Sequence, residues 1–226
     1  MFNADMLSKK VAFKIANELK LDNDNKEVIS YGIFAIIQMV YNLLLIILFG
    51  AVFNVVIEAV IASFTIAILR KSSGGAHASS SKICVVIGTF ITVIIGLIAK
   101  ININVNSTMI IGAITFIWAY YIIFKLAPVD SDAKPIRTEK KKKRLKRSSI
   151  FILSIYLTIV IIGIILYLYT KIDRLLIYSI CILGGVIWQI LSLTKIGHEI
   201  VKIIDAFLNK IIPMGIKEEK KNEKNE

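Results

Sequence analysis

"VISYGIFAIIQMVYNLLLIILFGAVFNVVI", residues 28–57, contains no charged side chain. One bilayer-crossing helix needs about 20 apolar residues. The run is too long for a single span, and beyond Glu58 it continues to Leu69. Gly50 and Asn54 predict a tight turn that divides it into spans near 28–49 and 53–69. Glu58 then has two readings. It lies inside the second span, where a carboxylate is costly and needs a partner, or the turn falls later and it sits at the interface.

Outward from this run, four more apolar blocks predict spans near 83–99, 108–125, 149–169 and 175–193. Of the 226 residues 56% are hydrophobic, and mean hydropathy is +0.73. A soluble domain of this length needs far more polar surface. The expected fold class is an all-α polytopic membrane protein with six transmembrane helices. The first 27 residues are polar and charged, so no cleavable signal peptide is expected there. Cys84 and Cys181 are far apart in sequence, and a free thiol is the default for each.

Basic residues orient the spans. Lys9, Lys10, Lys14, Lys20 and Lys26 precede the first, and Arg70, Lys71 and Lys82 separate the second from the third. The loop after the fourth carries nine cations from Lys134 to Arg147. Only Lys100, Lys171 and Arg174 fall on the opposite face. The positive-inside rule then makes both termini and the residue 70–84 stretch cytoplasmic. Ile196, Ile200, Ile203, Ile204, Phe207, Leu208, Ile211 and Ile212 recur at helical spacing, with Glu199, Lys202, Asp205 and Lys210 facing away. They predict an interfacial helix on the inner leaflet, ended by Pro213. Residues 6–20 carry a weaker version, on a Leu7/Val11/Ile15/Leu19 stripe that Phe13 interrupts. One membrane domain, 1–215, is expected, followed by a disordered charged tail, 216–226.

The polar stretch "RKSSGGAHASSSKIC", Arg70 to Cys84, interrupts the apolar pattern. A cysteine acts as a nucleophile when ionised, and a nearby imidazole is a common base for it. On one straight helix His77 and Cys84 would share a face but stand about 10 Å apart along the axis, beyond a hydrogen bond of about 3–3.5 Å. A dyad therefore requires a break, which Gly74-Gly75 supplies. Ser79-Ser80-Ser81 offers N-caps for the next helix and places Cys84 in its first turn. The helix N-terminus and the cations Arg70, Lys71 and Lys82 favour negative charge there. Spacing leaves a second reading open: Cys84 a small apolar filler and His77 a solvated side chain. No second His/Cys pair stands nearby to complete a tetrahedral metal site, so neither metal nor cofactor is expected. His198 and Cys181 are read as structural.

Arg70, Gly74, Gly75, His77 and Cys84, followed by "APVDSDAKPI" at 127–136, resemble the two ordered motifs of the accessory gene regulator B family. Asp132 stands third before the Lys134-Pro135 pair, with Ala133 where that family often has Asn. The resemblance implies a cysteine endopeptidase of peptide quorum sensing that cuts a pro-peptide on its C-terminal side. Cys84 would form a thioester and His77 would carry the proton. A thiol or hydroxyl of the peptide would then close a thiolactone or lactone ring. The resemblance further implies a homodimer, and a pro-peptide with an amphipathic helix and an acidic tail. Asp130 is a candidate to orient the imidazole, or it simply caps the loop after Pro128. Arg70 either binds a peptide carboxylate or carbonyl, or snorkels at a helix end. Lys140, Lys141, Lys142, Lys143 and Arg144 are candidates to hold the acidic tail; they also suit anionic lipid. Nucleic acid is not an expected partner, because no aromatic residues interleave this run. The competing functions are a small-solute or peptide transporter using Glu58 and Asp130, and a non-catalytic membrane scaffold.

Overall fold

A computed structural model gives the fold and describes residues 8, 10–15, 22–101, 104–130 and 138–211. The tail 216–226, the Pro213 stop, Leu7, Leu19, Lys134, Arg137 and the 131–136 half of the second motif lie outside the described residues. Among the described residues seven long helices follow one another: α1 (Asn23–Val52), α2 (Val56–Ser73), α3 (Ser81–Ala99), α4 (Val105–Leu126), α5 (Glu139–Thr170), α6 (Asp173–Leu191) and α7 (Lys195–Ile211). Among the described residues there is no strand, only an isolated parallel bridge between Gly74 and Val129.

Among the described residues five helices are long and apolar enough to cross a membrane: α1 from Lys26, α3, α4, α5 and α6. The sixth expected span, α2, is not among them. It has 18 residues and carries Glu58 in its first turn and Arg70 and Lys71 in its last. The turn between α1 and α2 falls later than Gly50. That glycine is still helical, and the chain reverses at Phe53 and Asn54, where Asn54 adopts φ 56°. Glu58 therefore starts a helix and is nearly buried; its partner is the Lys100 ammonium at 3.6 Å, which also donates to the Asn54 carbonyl. The predicted loop after α4 is corrected as well. Lys140 to Arg147 form the first turns of α5. Lys, Arg and Glu are good helix formers, and Lys142 pairs with Glu139 one turn back at 4.0 Å.

The chain forms two compact units, Met1–Leu45 and Ile46–Glu226. In the first, residues 10–15 are helical, Ala12 is buried, and Val11 and Ile15 of the weak stripe are exposed. Lys26 lies over the Phe13 ring, 5.0 Å from its centre. A groove there is lined by Ala12, Phe13, Tyr31 and Phe34, and none of the predicted site residues borders it.

In the second unit, α2 and α6 pack against each other and share α3 and α5 as neighbours. Leu69, Phe116, Ile123, Leu153, Val186 and Ile190 centre the core. The outer face is just as apolar: Ile117, Phe124 and Phe151 are 73%, 69% and 67% exposed. Such a surface suits lipid and not water. Between helices in lipid, close packing and polar contacts replace the hydrophobic effect. Gly185 shows the first, since a Cβ there would come within 2.9 Å of Thr65. The second appears in the Tyr156 hydroxyl donating to the Thr65 carbonyl at 3.2 Å and in Ser149 donating to Ser72 at 3.0 Å.

Candidate active site

Helix α2 ends because Gly74 leaves the helical region, with φ 74° and ψ −151°. Gly75 follows at φ 137°. This region of backbone space belongs almost wholly to glycine. The segment from Gly74 to Ser80 then runs as a non-helical strap to the Ser80 N-cap, whose side chain accepts from the Ile83 amide at 3.3 Å. Cys84 lies one turn into α3, half-buried, with its amide bonded to the Ser80 carbonyl at 3.0 Å. The expected break, cap and position of the thiol are all present.

Three other segments hold the strap. The Val129 amide donates to the Ser73 carbonyl at 2.9 Å, which brings the Ala127–Val129 part of the second motif against the glycine pair. At the end of α6, Gln189 Nε2 donates to Ser73 Oγ at 3.0 Å and to the Gly74 carbonyl at 2.7 Å. The Ala76 amide donates to the Ser192 carbonyl at 3.0 Å. From α7, Asp205 accepts from both the amide and the hydroxyl of Ser79 at 3.1 and 3.0 Å. Asp205 was expected to face away with the other polar residues of that helix; it turns instead to the strap, because Ser79 offers it two donors.

Arg70 donates to the Ala76 carbonyl, immediately before His77. The guanidinium turns back onto the strap and pins it. It also interacts electrostatically with Cys84. His77 is exposed on the strap. Partial burial, then the Arg70 guanidinium, then His198 hold its pKa below the ordinary 6.5. The imidazole is thus neutral near neutral pH, the form a base requires. Arg70 acts electrostatically on both Cys84 and His77, but no hydrogen bond joins the imidazole to the thiol. Asp130 follows the bridged Val129 and is exposed. The charged groups acting on His77, Arg70 and His198, are both basic. Lys140 to Arg144 are all exposed, while Lys146 is committed to the end of α4, where it donates to the Phe124 carbonyl and lies 4.1 Å from that ring's centre.

Sequence reading missed Gln189, Ser192, His198, Asp205 and Asn209. Gln189 alone carried a signal, as an amide inside an apolar helix. His198, read as structural, acts on His77. Its Nδ1 is 2.8 Å from the Thr194 carbonyl; a carbonyl only accepts, so Nδ1 carries hydrogen and Nε2 is the free nitrogen when the ring is neutral. Replacing His198 with Gln removes an electrostatic neighbour that disfavours the His77 cation. The His77 pKa should therefore rise from below 6.5 towards that value, as read by an NMR titration of the labelled imidazole. An unmoved midpoint would show that the two rings are not coupled.

The accessory gene regulator B family model matches residues 8–193. An AgrB-like protein 2 of Clostridium perfringens is 43% identical over 91% of this chain and 98% of its own. An AgrB-like protein of Clostridium acetobutylicum is 23% identical over 87% and 88%, and one of Listeria innocua 24% over 81% and 83%. No solved structure matches the chain.

Proposed function

Since the chain belongs to the accessory gene regulator B family and so to a peptide quorum-sensing system, we propose that it is a membrane-embedded cysteine endopeptidase acting on a pro-peptide. The observation that carries this reading is the strap itself. It carries a neutral imidazole between the Gly74-Gly75 break and the Ser80 N-cap and is followed by the thiol one turn into the capped helix, with Arg70 acting on both.

In the proposed reaction the Cys84 thiol gives its proton to His77, and the sulfur attacks the scissile carbonyl. The resulting oxyanion collapses, breaking the C–N bond, and the imidazolium returns the proton to the departing amine. A thioester joins the N-terminal fragment to Cys84. A thiol or hydroxyl of that fragment then attacks the thioester, closes the ring and frees the Cys84 sulfur. The thioester retains acyl activation that hydrolysis would discard, and a site at the membrane edge limits competing water. Substrate draws the imidazole and thiol into contact, a tightening common on forming the reactive complex.

The topology we propose has α2 as the sixth span. Its roughly 27 Å length suffices because both charged ends reach the interfaces: Glu58 and Lys100 on one side, Arg70 and Lys71 on the other. Both termini and the strap are cytoplasmic, residues 1–215 form one membrane domain, α7 and the helix near residue 12 lie at the inner surface, and the chain is a homodimer. Pairing of Glu58 with Lys100 weakens the transporter reading, which needed that carboxylate for a solute. The test is co-expression with an amphipathic precursor bearing an acidic tail, followed by mass spectrometry of the medium and membranes. A cyclic fragment and a released tail are expected; an intact precursor in repeated pairings would contradict the reading.

Lys140, Lys141, Lys142 and Lys143 form an exposed cationic helix start, proposed to hold the precursor's acidic tail beside anionic lipid. Changing all four to Glu should raise KM by about tenfold at low salt with kcat little altered, because rim charges act on encounter. The difference should shrink as salt screens it. Equal kinetics at low salt would remove these residues from substrate capture.

A further inference from the structure

The strap that carries His77 is anchored just before its Ser80 end by α7. Ser79 stands two residues after His77 and five before Cys84. One oxygen of Asp205 accepts both its amide and its hydroxyl, at 3.1 and 3.0 Å. Asn209, one turn further along α7, donates to Ser79 Oγ at 3.1 Å and to the other Asp205 oxygen at 3.3 Å. Beside this polar clamp, Val201 and Leu208 share an apolar cluster with Ala76 and Ile83, so the same helix packs on the strap and on the first turn of α3. The charge on Asp205 strengthens its bonds to the strap.

We propose that Asp205, supported by Asn209, is a positioning residue: α7 fixes the strap so that His77 stays within reach of Cys84. Asp205 touches neither reacting atom. The inference rests on the cysteine-peptidase reading but concerns residues beyond the 8–193 matched by the family model. It makes the last helix part of the site and not only a membrane-surface element. Ordering through supporting hydrogen bonds has large effects on reactive geometry, since misplacement of about 1 Å can cost 100-fold.

The test reads Cys84 itself and needs no peptide. In full-length Cys181→Ser protein, which removes the buried second thiol, the rate of Cys84 alkylation by iodoacetamide is followed against pH. Asp205→Ala should slow alkylation about tenfold at neutral pH and move its pH profile towards that of His77→Ala. Asp205→Asn keeps one oxygen for the two Ser79 bonds but loses the charge and the oxygen that accepts from Asn209, and should fall between the parent and Asp205→Ala. A parent-like rate and profile in Asp205→Ala would overturn the proposal, as would an Asn variant as defective as the Ala variant. If His77→Ala itself leaves the profile unchanged, the base–nucleophile reading fails and the positioning role falls with it. That result differs from failure of the clamp alone, where His77→Ala shifts the profile and Asp205→Ala does not.

Discussion

Cys84→Ala is expected to abolish release of the precursor's tail, and His77→Ala to slow it about 100- to 10,000-fold, the range that general acid–base catalysis contributes. The two losses have different origins. Alanine at 84 leaves no atom to form the thioester, so the residual rate should equal that of membranes lacking the protein. Alanine at 77 leaves the sulfur on its capped helix beside Arg70, so a residual rate above that of membranes lacking the protein should persist. Cys181→Ser should be near normal, because that thiol is fully buried inside α6. The measurement is the initial rate of tail release in membranes with matched protein levels. Unchanged processing in both Cys84→Ala and His77→Ala would end the peptidase reading.

The second large effect is expected at Gly74→Ala. A Cβ at this position would lie 2.0 Å from the Val129 carbonyl oxygen, and backbone, unlike a side-chain tip, has little freedom to move away. The φ and ψ of Gly74 alone cost another residue about 1–3 kcal/mol. Moving Val129 would also break its bond to Ser73 and dislodge the Gly74 carbonyl from Gln189. Activity should be lost and the melting temperature lowered, while Gly32→Ala, where an added Cβ meets nothing within 4 Å, should leave both unchanged. A fully active Gly74→Ala protein of normal stability would show that the glycine break does not set the site.

Apolar blocks in the sequence located the helices, because segment hydropathy is a local property. The break at Gly74-Gly75, the Ser80 cap and the first-turn position of Cys84 were legible for the same reason: each depends on residues within one turn of the others. What escaped depends on contacts across the chain. The pattern of α7 identifies a polar side but not its neighbour, and a helix lying on lipid has the same pattern as one clamping Ser79, 126 residues away. Asp205 and His198 were misplaced on that account. Lys100 was counted only as a charge on the opposite face, and its pairing with Glu58 depends on how α2 meets α3. The basic run was read as a loop because charge separates spans in hydropathy, although the helix propensities of Lys, Arg and Glu favour the extended α5.

The central claim is a covalent bond between Cys84 and the substrate's acyl group. It is tested most directly with a precursor whose ring-closing thiol or hydroxyl has been removed, so that the acyl-enzyme cannot discharge by cyclisation. Intact mass and peptide mapping of the acid-quenched protein should show the N-terminal fragment on Cys84, released by hydroxylamine and missing from His77→Ala at early times. Tail release with no adduct at Cys84, or with the adduct on Cys181, would contradict the account.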